Sequence, residues 1–256
     1  MNGTLLKQTI KNNIGLWLIL TLVQAFFIGA MVMGGKTPVS MTAMSYYALL
    51  PGLISAVYVI VTGNKLLAQQ VDKGTMAYVL STPVRRTTVA LTQAFYFIGS
   101  LFAMFAIAGC THIIAHRLGA GSISGDEVKA ILLINAGLFM LNLALSGICY
   151  LASSVFNLSK YAIAVGGGIV GAMHLMSLMA KFNASFDWLK SFSVVTLFDI
   201  DSILAFSNQQ VFSMTGHAAE APDGTAFILK FCVLAVIGVV TYLLGSTLFA
   251  KRDLPL

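Results

Sequence analysis

Val71-Asp72-Lys73-Gly74-Thr75-Met76-Ala77-Tyr78-Val79-Leu80-Ser81-Thr82-Pro83-Val84-Arg85-Arg86 is a charged hinge between two long apolar runs, Tyr47–Ala68 and Thr87–Ala115. A membrane span needs about 20 apolar residues to cross a hydrocarbon core of roughly 30 Å, and both runs are long enough. Within the hinge (residues 69–86), Gly74 tolerates positive φ and is read as ending the second span. Thr75 is placed to N-cap a short helix, Met76–Leu80. Met76, Val79 and Leu80 share one face of that helix. Thr82 is read as the cap of the next helix, with Pro83 at its first position, where a missing N–H costs nothing. A helix pair joined in this way can receive force from a partner outside the membrane, but the same spacing equally fits an ordinary helical hairpin loop.

Outward from the hinge lie four more apolar runs, Ile14–Met33, Val128–Phe156, Ala162–Ala180 and Phe227–Ala250. Six spans are therefore expected, all helical, because lipid offers the backbone no hydrogen-bond partners. The third and fourth runs exceed the bilayer thickness, so tilt or protrusion is expected. Composition agrees: 58% of residues are hydrophobic and 9% charged. Soluble domains have about 45–50% and about 25%. A soluble fold so poor in charge would expose large apolar patches. The first run is too long for the h-region of a signal peptide and lacks a clear small-x-small cleavage site. Cys110, Cys149 and Cys232 lie far apart inside apolar runs and read as small apolar residues, not as a disulfide framework.

Six spans place both termini on one side, with the hinge and the Asn157–Tyr161 turn. That side carries Lys7, Lys11, Lys65, Lys73, Arg85, Arg86, Lys160, Lys251 and Arg252, against the acids Asp72 and Asp253. The other side carries Lys36, Arg117, Lys129, Lys181, Lys190 and Lys230. These face Asp126, Glu127, Asp187, Asp199, Asp201, Glu220 and Asp223. The contrast assigns the basic side to the cytoplasm. It also accounts for the formal charge of +6 without nucleic acid as a partner.

Before the first span, Met1, Leu5, Leu6, Ile10 and Ile14 recur at helical spacing, with Lys7 and Lys11 on another face. Residues 1–13 are read as an interfacial elbow helix. Residues 181–226 form the longest outer segment. Its stretch Asp187–Phe206 is apolar and aromatic and is expected to form one or two helices in the outer leaflet. Ser207–Thr225 reads as a solvated loop.

No G-x-x-x-x-G-K-[ST] phosphate loop occurs, so ATP hydrolysis is not expected of this chain, and no catalytic residue or cofactor is assigned. Gly166-Gly167-Gly168 with Gly171 lies inside a span and reads as helix packing. His112 and His116, at i and i+4, are too few to be read as a metal site. Asn135, Asn142, Ser146 and Ser153 fall within about 40° of one another on the fourth span. Such a face either joins helices, at about 0.6 kcal/mol per bond, or lines a cargo path. Asn135, Asn142 and Ser146 are the candidates for the path.

The run Asp72-Lys73-Gly74-Thr75 … Leu80-Ser81-Thr82-Pro83-Val84-Arg85-Arg86 resembles the acidic-x-Gly-Thr … Leu-Ser-x-Pro-Val-x-Arg signature of ABC-2 type permeases, the membrane subunits of bacterial ABC exporters. The ending Phe249-Ala250-Lys251-Arg252-Asp253-Leu254-Pro255-Leu256 and the outer segment Phe192–Asp199 are similar to that family's as well. The resemblance spans the chain and includes export permeases of the bacitracin or phenol-soluble-modulin kind. It implies an all-α polytopic membrane protein of six helices, with an elbow, a cytoplasmic coupling helix and short extracellular helices between spans five and six. It further implies two copies of a cytoplasmic ABC ATPase as partners, and pairing with a second copy or a related permease in the bacterial plasma membrane. The coupling role would fall to Asp72, Gly74, Thr75, Met76, Val79, Leu80, Pro83 and Arg85. The cargo would be an amphiphilic peptide, drug or lipid-like molecule.

A secondary transporter or channel without an ATPase is the competing reading. Such proteins usually hold ionisable groups inside their spans, and here no Asp or Glu lies in the middle of any span. A membrane enzyme is third, with no nucleophile–base pair to support it.

Overall fold

The computed structural model describes residues 2–35, 37–81, 84–182, 184–209 and 223–252. Among them there is no strand. Five helices are long and apolar enough to cross a membrane, or six if one bent pair counts as a single span. This is an architecture compatible with an all-α polytopic membrane protein.

The burial pattern is that of a protein solvated by lipid. Phe26, Phe102 and Leu229 are 62–71% exposed, whereas Gln24, Asn142, Ser146 and Ser153 are fully buried. Water would reverse that distribution.

Helix α1 (Gly3–Gly35) is continuous over 33 residues. The expected elbow before Ile14 is thus not a separate element. No proline interrupts these turns, and the Thr9 hydroxyl and Asn13 amide bond back to the carbonyls one turn earlier.

The second traverse departs most from expectation. It starts before Tyr47, with α2 (Val39–Thr42) and a wide π-type turn, Ala43–Tyr47. It then bends by 43° into α3 (Leu50–Leu66). The bend falls just ahead of Pro51, at the start of α3, where a proline has no N–H to continue the earlier ladder. At the far end Leu67 leaves helical geometry (φ −129°) before α4 (Ala68–Asp72). The freed Ala68 N–H donates to Ser153 Oγ at 2.8 Å.

Helix α5 (Thr75–Leu80) follows, then α6 (Arg86–Ala120) and α7 (Gly125–Val155). Ser124 and Glu127 form a reciprocal capping box at the start of α7. A short α8 (Ser159–Ala162) passes through a π-type turn, Ile163–Gly167, into α9 (Gly168–Phe182). A Cβ on Gly166 would lie 3.1 Å from Ala152, and one on Gly167 would lie 2.9 Å from Ile60, so these two glycines do serve close packing.

The outer segment forms three short pieces: 3-10 turns at Ala184–Phe192 and Val194–Leu197, then α10 (Ile200–Phe206). Ile200, Ile203 and Leu204 are buried, while Trp188 and Phe192 are at least 60% exposed. One face therefore covers the bundle and the other is presented outward. Burial alone would raise the Asp199 pKa, but the Lys230 ammonium and Ser202 outweigh it and leave it lowered. Residues 210–222 of the expected loop lie outside the described residues.

Helix α11 (Ala226–Lys251) packs most extensively on α7. Gly147 of α7 and Gly238 and Gly245 of α11 remove the side-chain bulk at the contact. A Cβ on Gly147 would sit 2.0 Å from Thr241 Oγ1.

Candidate functional site: the corner around the short helix

The ends of the traverses sort as the charges require. At the basic end, Asn2 N donates to Thr92 Oγ1, and Arg86 Nη1 donates to the Arg252 carbonyl at 2.8 Å. Arg252 Nη1 reaches the Ser154 carbonyl at 2.6 Å, and Nη2 reaches Asn157 Oδ1. Burial lowers the Arg252 pKa from its ordinary value. Residues near both ends of the described chain thus meet the hinge and the α7–α8 turn.

At this end α5 is set off from the helix before it. Gly74, with φ +67°, separates it from α4. That left-handed geometry is the one expected of Gly74, and a side chain there would be strained. Thr75 is not the N-cap. Gly74 holds that position, and the Thr75 hydroxyl instead donates to the Gln70 carbonyl at 3.1 Å. It serves the end of the preceding helix, one of whose terminal carbonyls would otherwise be orphaned.

Met76 was expected on a face shared with Val79 and Leu80 and offered to a partner. The structure buries it fully within the chain, with Val79 and Leu80 packed partly against the same core. That apolar face is the inward face of α5. The outward residue is Tyr78, 80% exposed. Two positions on from Met76, it lies about 200° around the helix. That spacing was the available signal, because a buried Met76 forces Tyr78 outward.

Asp72 is exposed and acts within the chain: its Oδ2 accepts from the Ser159 N–H at 3.2 Å, holding the first turn of α8. Arg85 is exposed and forms the extended residue before α6. Pro83 and Thr82 lie outside the described residues, and α6 begins at Arg86.

Beside α5 is a cleft of about 1080 Å³ between the first turns of α1 and the end of the second traverse. Asn12, Asn13, Gln69 and Gln70 contribute amides, Lys65 and Lys73 contribute cations, and Thr75, Tyr78 and Val79 form the α5 wall. Among the described residues no carboxylate lines it. Sequence reading missed this cleft because its two walls are some sixty residues apart in sequence.

Asn135, Asn142 and Ser146 are not part of this corner. They lie in the α7 core, each at most 5% exposed. Asn135 Nδ2 donates to the Tyr47 hydroxyl at 3.1 Å, and Ser146 accepts from the Tyr242 hydroxyl at 2.8 Å. Asn142 bonds only its own helix, at the Leu138 carbonyl. Ser153, on the same face, holds the α3–α4 break. The face thus joins helices at three of its four positions. Among the described residues no group of three or more His, Cys, Asp or Glu is placed to hold a metal.

Neither a scan against protein-family models nor a search of curated proteins returns a match for this chain.

Proposed function

We propose that this chain is the membrane-spanning subunit of an ABC-2 type exporter, moving an amphiphilic peptide, drug or lipid-like cargo and driven by a separate cytoplasmic ATPase. The observation that carries the reading is α5. A six-residue helix, set off by a left-handed glycine, presents an 80%-exposed tyrosine at the basic end while anchoring Met76 within the bundle. A rigid body gripped on its inner face and exposed on its outer face can pass a push from a partner into the second and third traverses. In this reading α5 is the coupling helix, and Tyr78 and the cleft wall are its contact surface. The basic end faces the cytoplasm, and the first turns of α1 do the work of an elbow. The hinge signature supports the family, and the lack of a phosphate loop requires the ATPase to be a partner.

The test is to look for a phosphate-loop protein in the neighbouring reading frames and to reconstitute this chain with it. The wild-type chain should bind that ATPase and alter its hydrolysis rate. Tyr78→Asp should abolish both effects while leaving thermal stability unchanged, because the side chain is already solvated. Undiminished binding and stimulation by the variant would remove α5 from the coupling role.

A further inference from the structure

The cleft beside α5 lies at the level of lipid headgroups. Helix α1 has 33 residues, a length of about 50 Å at 1.5 Å per residue, against a hydrocarbon core of roughly 30 Å. Its large exposed apolar side chains fall between Ile10 and Met33. The first turns therefore stand outside the core, and they bring Gln8, Asn12 and Asn13 to one wall of the cleft. On the other wall are Lys65, in the last turn of α3, and Lys73, just past α4.

The cleft is charged one way. Two lysines line it and, among the described residues, no carboxylate does. The ion pairs among the described residues involve Lys190, Lys230 and His116, so neither Lys65 nor Lys73 is neutralised there. The side-chain amides of Gln8, Asn12 and Gln69 make no hydrogen bond to another described residue. Deeper in the wall the pattern changes. Thr9 and Asn13 are 4–5% exposed and donate to carbonyls of their own helix. Two cations with unengaged amide donors beside them fit an anion whose oxygens accept.

The surface above the cleft continues the match. Ile19 and Phe26 follow Asn12 by seven and fourteen positions, which keeps them within about 40° of it around the helix. They are 61% and 70% exposed. The face of α1 that offers an amide at headgroup level thus offers apolar side chains about 10 Å and about 20 Å further along its axis. A ligand that matches both levels is an amphiphile with an anionic head.

We infer that this cleft seats an anionic phospholipid of the phosphatidylglycerol kind, its phosphodiester facing Lys65 and Lys73 and its acyl chains lying along the Ile19–Phe26 face. The glycerol hydroxyls suit the amides, which both donate and accept. A zwitterionic ethanolamine head brings an ammonium for which the described lining holds no carboxylate. Such a lipid joins the first turns of α1 to the end of the second traverse. The lysines and the α1 amides supply the match, not Tyr78, so the inference stands apart from the ATPase reading.

Native mass spectrometry of the chain taken from nanodiscs of equal parts phosphatidylglycerol and phosphatidylethanolamine tests it. The wild type should retain phosphatidylglycerol in preference. Lys65→Gln combined with Lys73→Gln should lower that retention about 25-fold, about fivefold for each lysine near a membrane surface. Lys7→Gln combined with Lys11→Gln makes the same change of charge at exposed α1 positions outside the cleft, and should leave the retention nearly unchanged. Equal losses in the two double variants would show diffuse surface attraction and overturn the inference. Equal retention of the two lipids by the wild type would overturn it as well, whether or not the variants insert. Inorganic phosphate in millimolar excess should leave the lipid in place, because it lacks the chains. Its displacement of the lipid would mark a site for free phosphate and overturn the lipid assignment.

Discussion

The α7–α11 seam and the α5 corner are built on opposite principles. Along the seam, glycines bring two helices into backbone contact, and Tyr242 is bonded across it to Ser146. At the corner, Met76 is anchored while Tyr78 stands in solvent beside a cleft of about 1080 Å³. The seam has no room to move, because close-packed interfaces switch between discrete arrangements rather than deform smoothly. The corner has surface to spare. The proposed coupling role needs both, a handle and a body that does not yield.

The seam should break most easily. Gly147→Ala places a methyl 2.0 Å from Thr241 Oγ1, with the Gly238 carbonyl at 3.2 Å behind it. Overpacking of this kind costs about 1–3 kcal/mol, read as a lowered midpoint in a detergent unfolding assay. Thr241→Ala should recover part of the loss in the double variant, since it removes the nearest atom. Full additivity of the two changes would place the clash elsewhere.

Gly74→Ala should be next. The left-handed geometry costs a side chain about 1–2 kcal/mol, and a Cβ there meets no atom within 4 Å. The expected signature is a loss confined to the corner, with greater proteolysis near residues 73–81 and the seam's exchange protection intact. Protection lost throughout the bundle would show the two regions to be one cooperative unit.

The smallest effect separates two polar residues of one face. Tyr242→Phe removes a bond between helices and should cost about 0.6 kcal/mol, the average for membrane proteins. Asn142→Leu removes an amide whose Oδ1 is buried without a partner and whose nitrogen bonds only its own helix. It should leave stability unchanged or raise it. A large loss on Asn142→Leu would show that this amide has a partner across the seam in the assembled protein.

The contrast also explains what could be read from the sequence. The traverses were legible because each apolar run is complete in itself, and the charges at the ends sort them without reference to packing. Gly74 was legible because its conformation is a local property. Pro51 offered an equally local sign of the bend, but an apolar run continuing across it masked the break. Met76 was misplaced for the opposite reason. Periodicity groups Met76, Val79 and Leu80 on one face but cannot say whether that face meets the same chain or another. The cleft, the Ser153 bond to Ala68 and the Asn135 bond to Tyr47 each join residues far apart in sequence. No window of neighbours contains them.

The seam also imposes an order on biosynthesis. Translation makes α7 well before α11, with residues 156–225 emerging between them. Until α11 arrives, Gly147 fronts an unfilled groove, and Ser146 lacks the phenol that bonds it. The nascent chain therefore holds a half-finished core against lipid until α11 closes it. A chain ending before residue 226 would keep that groove open, with Gly147 facing lipid instead of Thr241.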